Sequence, residues 1–387
     1  MIARLFPAAL RGDVTAPPSK SDAQRLLIAA WLAGDIDRVQ LNGAQSADIA
    51  ACVRCLHALD APQPCLDCGD SGAVLRFLTP VAAALGGARM TGSHQLAARP
   101  MGALLHALAE NGCRVSGDCL PFSLSGALRG GVYTLPGDIS SQFISGLLFA
   151  LPLLGQDSQI HLTSPLRSAG YVDMTRDVLR RFGVRSMRTE DGFSVPGGQT
   201  YRLPAHELAP EGDWSGAAVW LAVNALGGRI ALRGRIALRG LKDDSLQSDR
   251  RMAQLARALP DTVDIADIPD LLPLLSVLAA FQPAATRFTH AGRLRYKESD
   301  RLNGCARLLC DLGGLAQAEE DALLVQPRPL TGGETDARSD HRMAMAAAAA
   351  ACVCPQGVLL RGAECVDKSY PAFWADYKRL GGQMHVL

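Results

Sequence analysis

Apolar residues recur three and four positions apart in ten segments of this chain: 23–32, 49–59, 74–85, 101–109, 143–154, 172–181, 214–226, 271–281, 302–312 and 342–352. That spacing puts one apolar stripe on a helix, so each segment is predicted helical. Between them lie short β-type runs such as 159–162 and 358–361. The runs 271–281 and 343–354 are apolar on nearly every face. Both are too short for a bilayer, which needs about 20 apolar residues, and read as helices buried all round. The alternation predicts a mixed α/β chain.

The chain also repeats. Six helical segments end in turns centred on Asp60, Gly112, Gly183, Pro260, Gly313 and Gly381, each running into a strand-like segment. The last three turns lie 200, 201 and 198 residues after the first three. A glycine after a helix is a common left-handed cap, so one such turn says little. The repeated offset predicts two halves of three helix–turn–strand units each. The length of 387 residues likewise suits two domains of roughly 200. A tandem RIALRG at 229–240 reads as a six-residue duplication lengthening a strand or hairpin.

Composition narrows the function. The formal net charge is +1, which gives no electrostatic case for nucleic acid or a membrane surface. Any anion site must therefore come from local clustering of cations. The apolar patch at 5–10 is short and contains Pro7, so no secretory leader is expected. Eleven cysteines without a scaffold pattern point to a reducing, cytoplasmic setting. Cys52-x-x-Cys55 and Cys65-x-x-Cys68 look like zinc pairs, but the first lies in a helical pattern and no knuckle glycine follows it. Neither a metal nor a cofactor is expected. Only five of the 39 basic residues are lysines: Lys20, Lys242, Lys297, Lys368 and Lys378. Where Lys survives against that background, a compact, titratable ammonium is one explanation and chance placement another.

Three of those lysines stand in polar clusters at predicted helix starts. Pro17-Pro18-Ser19-Lys20-Ser21-Asp22-Ala23-Gln24-Arg25 precedes one apolar stripe, and Gly69-Asp70-Ser71-Gly72 precedes another. Asp138-Ile139-Ser140-Ser141-Gln142 leads a third, and Ser168 and Tyr171 a fourth. Helix starts present free N–H groups and partial positive charge, suited to an anion, but each cluster also reads as ordinary capping. Asp270 precedes the apolar run at 271, where it is equally an N-cap or a base. The stretch Arg293 to Arg301, with Lys297 and Glu298, reads either as a salt-bridged solvated start or as a site. Asp340-His341-Arg342 and Lys368-Ser369-Tyr370 complete the set. Together these clusters suit two small phosphorylated anions, with Asp270 and Glu298 as the carboxylates placed among the cations.

Ten stretches, in order, resemble the 5-enolpyruvylshikimate-3-phosphate synthase (3-phosphoshikimate 1-carboxyvinyltransferase) family: PPSKSDAQR, GDSGAVLRFL, AARPMGALLHAL, DISSQFISGLL, YVDMT, EGDWSGAA, DIPDLLP, RYKESDR, DHRMAMA and DKSYPAFW. The resemblance covers nearly the whole chain. It implies a two-domain inside-out α/β barrel with three βαβαββ units per domain. One domain would comprise residues 1–18 and 214–387, the other 19–213, with the active site in the cleft between them. The implied reaction moves the enolpyruvyl group of phosphoenolpyruvate to the 5-hydroxyl of shikimate 3-phosphate, releasing phosphate through a tetrahedral intermediate. By position, Ser21, Arg25, Ser140, Ser141, Gln142, Ser168, Tyr171 and Lys297 would hold shikimate 3-phosphate. Lys20, Asp70, Gly72, Arg99, Arg301, Arg342 and Lys368 would line the phosphoenolpyruvate site. Asp270 would take the hydroxyl proton, Glu298 with Lys20 would handle the methylene proton, and Lys368 would help phosphate depart. The resemblance implies a cytoplasmic monomer that binds neither nucleic acid nor membrane. Asp70 stands where many members have Asn, and Arg293 where some have Asn. The alternatives are a UDP-N-acetylglucosamine enolpyruvyl transferase and a non-catalytic ligand-binding relative.

Overall fold

The structure, a computed structural model, describes residues 1–43, 45–229 and 234–387. Contacts divide the chain into a terminal unit, Met1–Ser19 with Glu211–Leu387, and an inserted unit, Lys20–Pro210. All ten periodic segments form helix. Seven of these helices begin one to three residues before their apolar pattern, for example Lys20–Leu32, Gly72–Ala84 and Ala169–Arg181. The first turn has free N–H groups and attracts polar residues, so apolar periodicity starts only in the second turn. Ser46 accepts from Ile49 N, Ser71 from Val74 N, and Asp300 from Asn303 N.

Among the described residues each unit contains two four-stranded sheets of one plan. Two parallel strands are joined through a helix, and a hairpin then adds two antiparallel strands in the spatial order first-second-fourth-third. In the inserted unit these are Cys65–Asp67, Gly87–Thr91, Phe122–Ser125 and Arg114–Val115, then Val132–Leu135, Ser158–Leu162, Gly192–Val195 and Met187–Arg188. The terminal unit has Thr262–Asp264, Thr286–Thr289, Ala322–Gln326 and Leu315–Ala318. Its second sheet is Gly333–Asp336, Val358–Arg361, Ile2–Phe6 and Gln383–Val386. There the chain's first strand fills the place the hairpin's second strand holds elsewhere, which ties the N-terminus to the C-terminal segment.

These sheets are open: among the described residues none closes into a barrel, and each unit is a set of βαβαββ layers around a core. The remaining pairing is reduced to Gly12–Thr15 beside Ile236–Arg239, in parallel, and isolated bridges such as Val39 to Leu208. Ile236–Arg239 is the second copy of the tandem hexapeptide; residues 230–233 of the first copy lie outside the described residues.

Two helices fill each core. In the inserted unit, Gly72–Ala84 crosses Ser141–Ala150 closely, because a Cβ on Gly146 would overlap the Arg76 carbonyl oxygen. In the terminal unit every residue of Leu272–Ala279 and of His341–Ala351 is buried. Small alanine side chains let neighbouring elements pack against the second helix on all sides. Among the described residues no helix is long and apolar enough to cross a membrane.

This plan places the polar clusters. A helix that follows a parallel strand starts at that strand's C-terminal edge. Ser71, Ser140, Asp270 and Asp340 therefore follow the first strands of the four sheets, and Arg99, Ser168, Arg301 and Lys368 follow the second. Helix N-termini and their unpaired N–H groups thus gather on one edge of every sheet, where open α/β sheets bind ligands.

Candidate active site

In the terminal unit the charged residues form one network around Arg301. This guanidinium is 1% exposed at the start of helix Arg301–Asp311. Its Nε donates to Asp340 Oδ2 at 2.9 Å, one terminal nitrogen to Asp270 Oδ1 at 2.6 Å, and the other to Glu298 Oε2 at 2.8 Å and Asp340 Oδ1 at 3.2 Å. A planar fork with five N–H groups makes four bonds to three carboxylates here, more than the three donors of an ammonium allow. Asp340 also caps the next helix by accepting from Arg342 N at 2.9 Å. It is fully buried, orients the Arg301 guanidinium and caps the helix that carries Arg342.

Asp270 sits in the 3₁₀ turn Pro269–Leu271, directly before the apolar helix. Besides Arg301 it meets Arg342 at 3.3 Å and Lys297 Nζ at 3.7 Å. Burial works against its charge, but Lys297, Arg342 and Arg301 prevail and hold it well below the usual carboxylate range. Burial likewise pulls Lys297 down to about 8, opposed by Asp270 and assisted by Arg301 and Arg293. Arg293 donates to the Ala266 carbonyl, which directs it onto the backbone of its own unit. Lys368 ends the 3₁₀ turn Ala363–Lys368 and is half-buried.

The inserted unit holds a second array. Lys20 is the first residue of its helix, and its ammonium pairs with Asp48 Oδ2 at 2.8 Å. Arg25, one turn on, is buried. It donates to Thr175 Oγ1 at 2.8 Å, the Ser21 carbonyl at 2.6 Å and the Tyr171 carbonyl at 2.9 Å, and its guanidinium lies over the Phe77 ring at 4.9 Å. Burial lowers it to about 10, which leaves it charged at neutral pH. Arg25 therefore locks helix Lys20–Leu32 onto helix Ala169–Arg181 and fixes where Ser21 and Tyr171 stand. Ser168, before the second helix, is buried with φ 55°, a left-handed conformation that costs a non-glycine residue energy.

Ser140 caps helix Ser141–Ala150 through Gln142 N, while Gln142 Oε1 accepts from Arg76 at 3.0 Å. Arg76 also donates to the Pro100 carbonyl at 3.0 Å, beside Arg99. The Arg99 guanidinium lies on Gly72 so closely that a Cβ there would be 2.7 Å from its Cζ. Asp70 is exposed and accepts from Ser93 Oγ. Gly72→Ala should displace the flexible end of Arg99 rather than the backbone. The expected result is a rise of roughly tenfold in the Michaelis constant for an anionic substrate, a loss comparable to one charged hydrogen bond, with thermal stability nearly unchanged.

Each array joins residues named from sequence, and each depends on partners that were given no role there. Asp48, Arg76, Thr175 and Asp340 orient Lys20, Gln142, Arg25 and Arg301. Only Asp340 had a visible signal, as an Asp directly before His341 and an apolar helix.

Cations and carboxylates at helix starts on open βαβαββ sheets suit the handling of small anions. Solved structures agree on the fold. An EPSP synthase from Acinetobacter baumannii superposes with a TM-score of 0.79 at 22% identity, covering 100% of both chains. The enolpyruvyl transferase NikO from Streptomyces tendae does so with a TM-score of 0.76 at 16% identity, covering 99% of this chain and 98% of its own. The fold is that of the enolpyruvyl transferases.

Sequence narrows this further. The profile of EPSP synthase (3-phosphoshikimate 1-carboxyvinyltransferase) matches residues 60–259 and 257–377. The 3-phosphoshikimate 1-carboxyvinyltransferase of Clostridium acetobutylicum is 35% identical over 427 aligned positions, covering 99% of this chain and 98% of that protein. The enzyme of the same name from Clostridium kluyveri is 36% identical, covering 98% and 97%. The chain belongs to the EPSP synthase family and is a transferase.

Proposed function

We propose that this transferase moves the enolpyruvyl group of phosphoenolpyruvate to the 5-hydroxyl of shikimate 3-phosphate, releasing phosphate, as a step of aromatic amino acid biosynthesis. The observation that carries the reading is the Arg301 network, in which two partly accessible carboxylates, Asp270 and Glu298, are held among cations at helix starts. Joining two anions through a new C–O bond needs a base for the hydroxyl proton, an acid for the enol methylene and fixed cations for the departing phosphate.

Asp270 is the base. Its ionised state leaves it able to accept a proton, and its basicity rises as anionic substrates draw Arg342 and Lys297 away from it. Glu298 delivers the methylene proton and takes one back when the tetrahedral intermediate collapses; Lys20 is the second group suited to that transfer. Protonation of the methylene carbon makes the adjacent carbon electrophilic, and the 5-oxygen attacks it. Arg99, Arg301 and Arg342, with Lys20 and Lys368, hold the phosphoenolpyruvate carboxylate and phosphate, and Gly72 lets Arg99 reach them. Asp70 lies beside that group, occupied by Ser93. Ser21, Ser140, Ser141, Gln142, Ser168, Tyr171 and Lys297 hold shikimate 3-phosphate, with Arg25 fixing Ser21 and Tyr171. The enzyme works without metal or cofactor as a cytoplasmic monomer, a setting to which its eleven free thiols are suited.

The test is phosphate release from phosphoenolpyruvate with shikimate 3-phosphate, and in parallel with UDP-N-acetylglucosamine. Release with the first acceptor alone is expected. Release only with the second would transfer the assignment to the related enzyme, and none with either would leave a ligand-binding protein.

A further inference from the structure

Asp249 is fully buried and has no part in the chemistry above. It stands in the 3₁₀ turn Ser248–Arg251 of the terminal unit. Its Oδ2 accepts from Ser215 Oγ; its Oδ1 is buried and has no hydrogen-bond partner among the described residues. Ser215 lies in the first turn of helix Trp214–Arg229, where its N–H donates to Asp213 Oδ1 at 2.8 Å.

The charged groups facing Asp249 come from three neighbouring elements. They are Asp213 before that helix, Asp270 in the turn Pro269–Leu271, and Arg342 on helix His341–Ala351. On its own turn Arg250 and Arg251 are exposed, and Arg250 donates to the Asp243 carbonyl at 2.7 Å. Arg342 is thus drawn two ways, toward Asp270 Oδ2 at 3.3 Å and, electrostatically, toward Asp213 and Asp249.

An incoming phosphorylated anion adds negative charge to this group of three carboxylates around one guanidinium. The least costly response is for one buried carboxylate to take a proton. Asp270 is held ionised by three cations, and Asp213 is engaged as a helix cap. Asp249 has one hydroxyl donor and an orphan oxygen. Burial, then Asp270, push it up to about 7, against the pull of Arg342 and Ser215.

We propose that Asp249 is a positioning residue for Arg342, taking a proton from solvent onto Oδ1 when phosphoenolpyruvate binds and so releasing the guanidinium to the ligand. The proposal rests on the reading of Arg342 as part of the phosphoenolpyruvate site. No covalent bond to carbon changes in the step.

The sign follows from linkage. A group whose pKa rises on binding makes binding stronger below that pKa and weaker above it. The Michaelis constant for phosphoenolpyruvate should therefore rise from pH 6 to pH 8, by up to about tenfold for one coupled proton. Asp249→Asn is neutral throughout and should lack that component. The ratio of wild type to variant isolates it, because the substrate's own titration is common to both. Ser215→Ala removes a hydrogen bond that favours the ionised form and should move the break to higher pH.

The experiment is the Michaelis constant for phosphoenolpyruvate at saturating shikimate 3-phosphate, from pH 6 to 8, in the three proteins. A flat wild-type profile, or parallel profiles in wild type and Asp249→Asn with turnover intact, overturns the role of Asp249 alone. No turnover in wild type overturns the functional reading and this proposal with it. Should Asp249→Asn fail to fold, Ser215→Ala decides: an unmoved break refutes the proposal, an upward move supports it.

Discussion

Asp270→Asn is expected to lower kcat by about a hundred- to ten-thousandfold, the range for removal of a general base, while shikimate 3-phosphate still binds. The change is isosteric, and the amide oxygen still accepts from the Arg301 nitrogen now 2.6 Å from Asp270 Oδ1. An amide cannot take the hydroxyl proton. It also frees Arg342; Lys297 loses the carboxylate that supports its charge against burial, and a bound phosphate takes over that support. Equilibrium binding of shikimate 3-phosphate should stay within a few-fold of wild type, which separates a chemical defect from a binding defect. A kcat within threefold of wild type would remove Asp270 from the role of base.

Arg301→Gln should have the largest effect on stability. The substitution leaves Asp340 buried at 0% exposure without its guanidinium, and Asp270 and Glu298 without their shared partner. Breaking one side of a buried ion pair costs about 3–5 kcal/mol, because the remaining charge stays desolvated. For a unit of roughly 200 residues this is a fall of about 6–20 °C in Tm. Lysine is not expected to rescue it, since an ammonium has three donors and no planar fork and cannot reproduce four bonds to three carboxylates. Thermal unfolding followed by near-ultraviolet dichroism measures the change; a Tm within about 2 °C of wild type would mean that Arg301 is not the centre of the network.

The two units differ in how much of their site could be read along the chain. The cluster from Arg293 to Arg301 looked either like a salt-bridged, solvated helix start or like a site. In the structure it is split: Arg295 lies near Asp300, Tyr296 is exposed, and Arg301 is 1% exposed among carboxylates from three segments. Burial of Arg301 depends on Asp340, 39 positions away, so no local pattern could settle it. Arg25 presented a similar ambiguity. Its spacing from Ser21 put both on one helix face, and its Ser21 carbonyl bond follows from that spacing, but its bond to Thr175 spans 150 positions.

Helix positions, the repeat and the cations at helix starts were determined by the sequence alone, because they follow from interactions within a few residues: apolar spacing, caps and turn glycines. The family's ordered motifs added the chemistry those clusters serve. Tertiary structure decided the rest. It made the sheets open layers, placed Ile2–Phe6 inside a sheet built from the C-terminal segment, and chose Asp48, Thr175, Asp340 and Asp249 as the groups behind the named residues. Asp48, Thr175 and Asp249 are lone polar residues in a helix or turn with no local feature to distinguish them, and Asp340, visible only as a helix cap, gave no sign of its bond to Arg301. A charge or hydroxyl acquires its role from the groups that burial brings within hydrogen-bond or electrostatic reach, and that reach is set by the packing of distant elements.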